Sequence, residues 1–202
     1  DWTVQEGVLE SLEGGDCDGI APHGGERYFA VGGLCESSAR GVATQDVAFP
    51  LYVDRIDAGL ATASLQAWLA DYAGDDEPTV DLLFLDAEGA ELGRSATLLR
   101  TEVGWSLQQS ETLVPVGTRS ARVVLTGTRN VGEDNDSYVD DLVLRLRFTD
   151  PPAGDDDGDD DDAVPEPTGC GCTAGSSTSG AAGAGWLVLG ALVAGRRRRR
   201  SA

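Results

Sequence analysis

Between Ala61 and Tyr72 the apolar residues recur at every second position. Ala61, Ala63, Leu65, Ala67 and Leu69 share one side, and Trp68 and Tyr72 fall on the other. The same period returns near residue 145, where Leu142, Leu144, Leu146 and Phe148 face one way and Arg145 and Arg147 the other. Successive side chains of a strand point to opposite faces of a sheet, so this pattern marks strands with one buried face. Further strands are predicted in the region punctuated by Val4, Val8 and Leu12, and at Arg27–Val31, Ala43–Phe49 and Thr79–Leu85. After the turn Asp86-Ala87-Glu88-Gly89 come Glu91–Ser95, Trp105–Leu113, Ser120–Thr128 and Tyr138–Phe148. No stretch before residue 180 keeps an apolar stripe of period 3.6 between caps, which argues against a helical domain. About nine short strands separated by Gly, Pro and Asp clusters predict an all-β fold over residues 1–150, a β-sandwich or jelly roll.

The pattern breaks at Pro151. The segment PPAGDDDGDDDDAVPEPT holds seven Asp, one Glu and four Pro. Like charges repel and no apolar group offsets the entropy of ordering, so residues 151–179 are expected to be a disordered acidic linker. An EF-hand does not fit, because aligning Gly158 with the loop glycine puts Ala153 and Val164 at positions that need acids. Gly180–Gly195 then runs sixteen positions without a charge. As a helix it covers roughly 24 Å, slightly less than the roughly 30 Å of a hydrocarbon core. Arg196, Arg197, Arg198, Arg199 and Arg200 follow at once. Five arginines stop transfer and hold residues 196–202 in the cytoplasm, with the domain outside. The sequence thus predicts one C-terminal transmembrane helix over 180–195; a buried core helix is the plainer alternative.

Charge narrows the partners. The chain of 202 residues has a net charge of −20, and its first 150 residues set 27 acidic side chains against 10 Arg and no Lys. Such a surface repels a phosphate backbone, so nucleic acid is not an expected partner. Because the sequence opens on Asp1 and lacks Met, an upstream leader (a signal peptide) is expected. In an exported protein Cys17 and Cys35 read as a disulfide, with two free thiols as the alternative. His23 is the only His and no Cys-x-x-Cys occurs, which leaves no zinc site in view. Nucleophile-elbow, His-Glu-x-x-His and P-loop motifs are missing too, so an enzyme is not expected.

Two resemblances add to this. The acidic Pro-rich linker, Gly169-Cys170-Gly171-Cys172, the apolar span and Arg196–Arg200 together resemble the MYXO-CTERM sorting tail of myxobacterial surface proteins. That resemblance implies an intramembrane sorting protease as partner, cleavage near Cys170 and Cys172, lipid on one of them, and display on the cell surface. A simple single-span protein is the alternative. The stretches GERYFA (25–30), TQDV (44–47), Val80–Leu85 running into DAEG, and YVDDL (138–142) resemble galactose-binding-like jelly rolls, the architecture of many carbohydrate-binding modules. Some members of that family hold a structural calcium ion between an early loop and the final strand. Glu26, Asp140 and Asp141 occupy the matching positions; the alternative is that Asp140 or Asp141 satisfies buried loop amides.

Sugar modules stack an aromatic face on a pyranose ring, which makes Trp68, Tyr72 and Trp105 the candidate ligand residues; packing in the core is the alternative for each. Two functions follow. One is a surface module binding polysaccharide or glycoprotein, and the other a structural or adhesive domain contacting protein partners. A further alternative is an accessory module of a larger exported enzyme.

Overall fold

The computed structural model describes residues 1–72, 75–100 and 103–150, with the backbone of Leu187–Gly190. Its strands are β1 (Thr3–Glu6), β2 (Leu9–Glu13), β3 (Arg27–Val31), β4 (Arg40–Ala48), β5 (Ala61–Ala70), β6 (Glu77–Leu85), β7 (Glu91–Arg94), β8 (Leu98–Leu99), β9 (Ser106–Leu113), β10 (Ser120–Thr128), β11 (Tyr138–Phe148) and β12 (Leu187–Gly190). A 3-10 turn at Asp16–Asp18 and helix α1 (Val53–Asp57) lie between them. Two antiparallel sheets result. The first runs β1-β4-β10-β6-β7 and the second β2-β3-β11-β5-β9, with β8 added to β6 and β12 to β11. The chain changes sheet at most of its connections, the wrapping of a jelly roll.

The alternation read from the sequence is what closes the core. Ala61, Ala63, Leu65, Ala67 and Leu69 of β5 are all buried, as are Leu144 and Leu146 of β11. From the first sheet they meet Val80, Leu82 and Phe84 of β6 and Ala121, Val123 and Leu125 of β10. Small residues on β5 face large ones on β6, so the two sheets interdigitate. Phe49, and Ile56 of α1, close one end of this core and are fully buried.

Several expectations need correction. The region of Val4, Val8 and Leu12 is two strands in different sheets, because Gly7 takes a φ of 60° between them and turns the chain across. Trp105 precedes β9 and does not belong to it. Helix α1 spans five residues, too short for a period-3.6 stripe to register. Leu187–Gly190, inside the predicted transmembrane helix, is a strand whose residues pair with Val143–Leu146 of β11. β3 pairs with β11 only at Tyr138 and Val139. The edge of β11 beyond them carries backbone groups that need partners, and a Leu-Val-Leu segment supplies them. The remainder of 180–195, the linker, Cys170, Cys172 and Arg196–Arg200 lie outside the described residues. Among the described residues no helix is long and apolar enough to cross a membrane.

One contact sets how closely the sheets approach. Gly41 of β4 and Gly127 of β10 are register partners. A Cβ at Gly127 would lie 1.8 Å from the Val31 carbonyl oxygen, and one at Gly41 would lie 2.2 Å from the Gly32 nitrogen. Backbone meets backbone there, and no rotamer can relieve a clash. Gly127→Ala is therefore expected to cost more than about 3 kcal/mol, read as a large fall in melting temperature, while Thr128→Ala on the same strand changes little. An unshifted melting curve for Gly127→Ala would contradict this packing.

Candidate functional site

β11 carries one residue more than its neighbour. Asp140 stands opposite Trp68, but Val143 stands opposite Gln66, so three steps on β11 match two on β5. Asp141 occupies this bulge with a φ of 45°. The insertion reverses the phase of the strand. Before it, Val139 points into the main core and Tyr138 to the outer face; after it, Leu142, Leu144 and Leu146 point inward. Arg145 and Arg147 are left on the outer face.

Above the bulge the outer face is roofed. Tyr138, fully buried, packs with Leu12, Tyr28, Ala30, Leu34 and Ala70 in a second small core, with Ile20 and Trp105 against it. The roof is the loop after β2, fastened to the segment after β3 by the Cys17–Cys35 disulfide with its Cα atoms 5.4 Å apart. A loop of this size closed by a disulfide is stabilised by about 3 kcal/mol. The Glu10 carboxylate accepts the backbone N–H groups of Leu34, Cys35 and Glu36 and fixes the other side. Trp105 stands edge-on to Tyr28 at 5.9 Å and its indole N–H donates to the Ala21 carbonyl at 2.8 Å. Burial, then the nearby Asp16 charge, pushes the Tyr28 hydroxyl up to about 12. The Tyr138 hydroxyl donates to Asp136, whose carboxyl burial pushes above the ordinary range.

At the bulge Asp140 gathers the loop end. Its Oδ2 accepts the N–H groups of His23 at 2.9 Å and Gly24 at 3.1 Å, and its Oδ1 that of Asp141 at 2.8 Å. Burial raises its carboxyl above the usual value, with these amides opposing. The His23 ring then lies flat on Trp68, centroids 3.5 Å apart and 16° from parallel. Its Nδ1 lies 2.8 Å from Asp141 Oδ2, and because a carboxylate only accepts, that nitrogen carries the proton. Glu26, Asp140 and Asp141 do border one cleft of about 500 Å³, between β3 and β11. In this structure Asp140 accepts three amides and Asp141 Oδ2 faces His23. Among the described residues no three acidic, His or Cys side chains converge as a metal would need.

Below the bulge no described residue covers the outer face. Thr62, Ser64 and Gln66 of β5 lie between Gln109 and Glu111 of β9 and Arg145 and Arg147 of β11, around a groove of about 460 Å³. Gln66 links its walls: its amide nitrogen donates to Gln109 Oε1 at 3.1 Å, and its Oε1 accepts Arg145 Nη1 at 2.6 Å. Arg147 lies 3.4 Å from Glu111. Trp68 is the next outward residue of β5 after Gln66 and stands at the head of this row.

Of the aromatic candidates, Trp68 and Trp105 both border His23, and Tyr72 stands apart, 62% exposed beyond the end of β5. Trp105 belongs to the small core, and the His23 imidazole covers a face of Trp68. The groove residues Gln66, Gln109, Glu111 and Arg145 were not foreseen. Alternation alone put Gln66 and Arg145 on outward positions, but it did not say that β11, β5 and β9 would be neighbours.

No known protein family matches the chain, and no curated protein does. Solved structures share its layout at low scores. They include a family 16 carbohydrate-binding module (19% identity, 67% of this chain, 84% of that chain, TM-score 0.43). Another is the N-terminal xylanase 10B of Clostridium thermocellum, CBM22-1 and GH10 modules with xylohexaose (18%, 71%, 25%, 0.49). A third is the enzymatically active domain of bacteriophage CBA120 tailspike protein 4 (15%, 71%, 19%, 0.47). The chain spans a quarter or less of the last two. Likeness at this level describes the arrangement of strands, and no ligand follows from it.

Two measurements test the site's construction. Asp140→Ala strands three N–H donors and is expected to cost about 2 kcal/mol or more, with a change in tryptophan fluorescence as His23 leaves Trp68. Asp140→Asn, which keeps one acceptor oxygen, should fall between; wild-type fluorescence in the alanine variant would refute the anchoring role. For Asp136, the folded carboxyl titrates above its ordinary 3.8. Its contribution to stability is complete below that value and is lost as pH rises through the folded one. Asp136→Asn has no such loss, so its melting temperature relative to wild type should be more favourable at pH 7 than at pH 3.

Proposed function

We propose that residues 1–150 form a non-catalytic carbohydrate-binding module of galactose-binding-like jelly-roll type, held at the cell surface through the C-terminal segment. The observation that carries this is the groove on the open face of the second sheet. Its donors and acceptors sit on three paired strands, so little freedom is lost when a ligand binds. Neutral amides and hydroxyls from Gln66, Gln109, Ser64 and Thr62 match the paired donors and acceptors of sugar hydroxyls. Glu111 is the one carboxylate among the described residues lining it. Glycoside hydrolysis ordinarily takes two, which favours binding over cleavage.

Trp68 stands at the head of the groove with one face covered by the His23 imidazole. Surface display is supported by the sixteen uncharged residues and the arginine run behind them. For Leu187–Gly190, pairing with β11 and insertion into lipid are mutually exclusive, so anchoring requires those four residues to leave the sheet. Sorting by an intramembrane protease and lipidation at Cys170 or Cys172 belong to the same proposal.

The full chain in detergent, titrated against a glycan array, tests the binding reading. Gln66→Ala is expected to weaken the preferred glycan about tenfold, the loss of one to two hydrogen bonds, with the melting temperature unchanged. Unaltered affinity across the array would remove the groove from consideration. Fractionation of expressing cells tests the anchor: the chain should resist alkaline extraction from membranes, and one lacking residues 180–202 should not.

A further inference from the structure

The arginines of this domain are for the most part tied to carboxylates. Arg40 pairs with Glu6, Arg119 with Asp57 and Arg122 with Asp46. In a chain with a net charge of −20, acidic partners are plentiful. Arg129 and Arg145 are different: Arg129 donates to the Ser37 hydroxyl and the Glu133 carbonyl, and of the two Arg145 is the one that lines the groove. The hydrogen bond of Arg145 runs to the neutral amide oxygen of Gln66 at 2.6 Å, and among the described residues no carboxylate pairs with it. The acid in the groove, Glu111, stands across Ser64 from Arg145 in register, yet its carboxylate lies against Arg147. One guanidinium of the groove is thereby balanced and the other is not.

We infer that the groove selects an acidic sugar, with Arg145 taking the carboxylate of a uronic acid unit. This rests on the carbohydrate-binding reading above and names its ligand class. A guanidinium presents five donors in a planar fork, and the bond to Gln66 accounts for one of them. A carboxylate offers two coplanar oxygens that match such a fork, and a neutral pyranose has no equivalent. Gln66 holds the guanidinium in place from β5, so the fork is oriented before ligand arrives. Ser64, in register between Arg145 and Glu111, is placed for a ring hydroxyl of the same unit. The surrounding negative charge slows the approach of any polyanion. Selection by Arg145 is therefore a short-range effect, and short oligosaccharides should show it better than long polymers.

The experiment uses the full chain in detergent with an array of uronate-containing trisaccharides, each beside its carboxyl-reduced counterpart and a sulfated neutral trisaccharide. At least one uronate is expected to bind tenfold or more tighter than its reduced form. Arg145→Gln should erase that difference, and Arg145→Lys, which keeps charge and loses the fork, should restore part of it. Both variants retain Arg196–Arg200, so attraction to the tail survives in each. Uronate preference that persists in Arg145→Gln overturns the assignment. So does preference for the sulfated sugar over every uronate. Equal binding of charged and reduced sugars, untouched by Arg145→Gln, overturns it while leaving the groove as a glycan site. Silence of the array toward every sugar overturns both readings.

Discussion

The single extra residue in β11 is the constraint on which the rest of this domain depends. Side chains on a strand alternate, so inserting one residue exchanges every later side chain between faces. Without the bulge at Asp141, a strand that sets Tyr138 and Asp140 outward would also set Leu142, Leu144 and Leu146 outward and drive Arg145 and Arg147 into the core. With it, one strand serves two environments in succession. Its first half forms the floor of the small core, and its second half carries the basic wall of an open groove. The left-handed conformation at Asp141 is strained for a residue with a Cβ, and the interactions gathered around it hold it in place.

Those interactions are polar, and each carboxylate has a structural task. Asp140 collects amides from the far end of a disulfide-fastened loop, and Asp141 holds the imidazole that this loop delivers onto Trp68. The loop is thus fixed at both ends, covalently at Cys17 and by hydrogen bonds at His23 and Gly24. Acidic residues that composition alone would assign to solvent or to a cation are used here to satisfy backbone donors. The groove begins where this loop ends.

The open face below the bulge is polar for a different reason. Among the described residues nothing covers β9, β5 and β11 over Thr62–Gln66, so a sheet that is apolar on its inner side presents hydroxyl, amide and guanidinium groups on its outer side. They are positioned by strand pairing and linked through Gln66, which gives them the rigidity that recognition of a hydroxyl-rich ligand needs. The strongly acidic remainder of the surface keeps the domain soluble and discourages anionic macromolecules from adhering elsewhere. Within that background Arg145 sets a locally unbalanced guanidinium in the groove.

Much of this was legible in the linear chain. The alternation in Ala61–Leu69 and Leu142–Phe148 named the inner faces of two central strands, and the two early cysteines named the disulfide. Strand boundaries at Ser120–Thr128 and Tyr138–Phe148 agree with the structure, because period and turn residues are local properties. Pairing is not local. That Trp68 would lie under His23, forty-five positions away in the chain, or that Gln66 would join Gln109 to Arg145, depends on which strands become neighbours and in what register. By itself the sequence determined that residues 1–150 form a β-sandwich with these inward faces, since burying alternate apolar side chains leaves few other solutions. Only the tertiary structure decided where the outward face is covered and where it is open, because one inserted residue and one fastened loop act across strands that the chain order does not bring together.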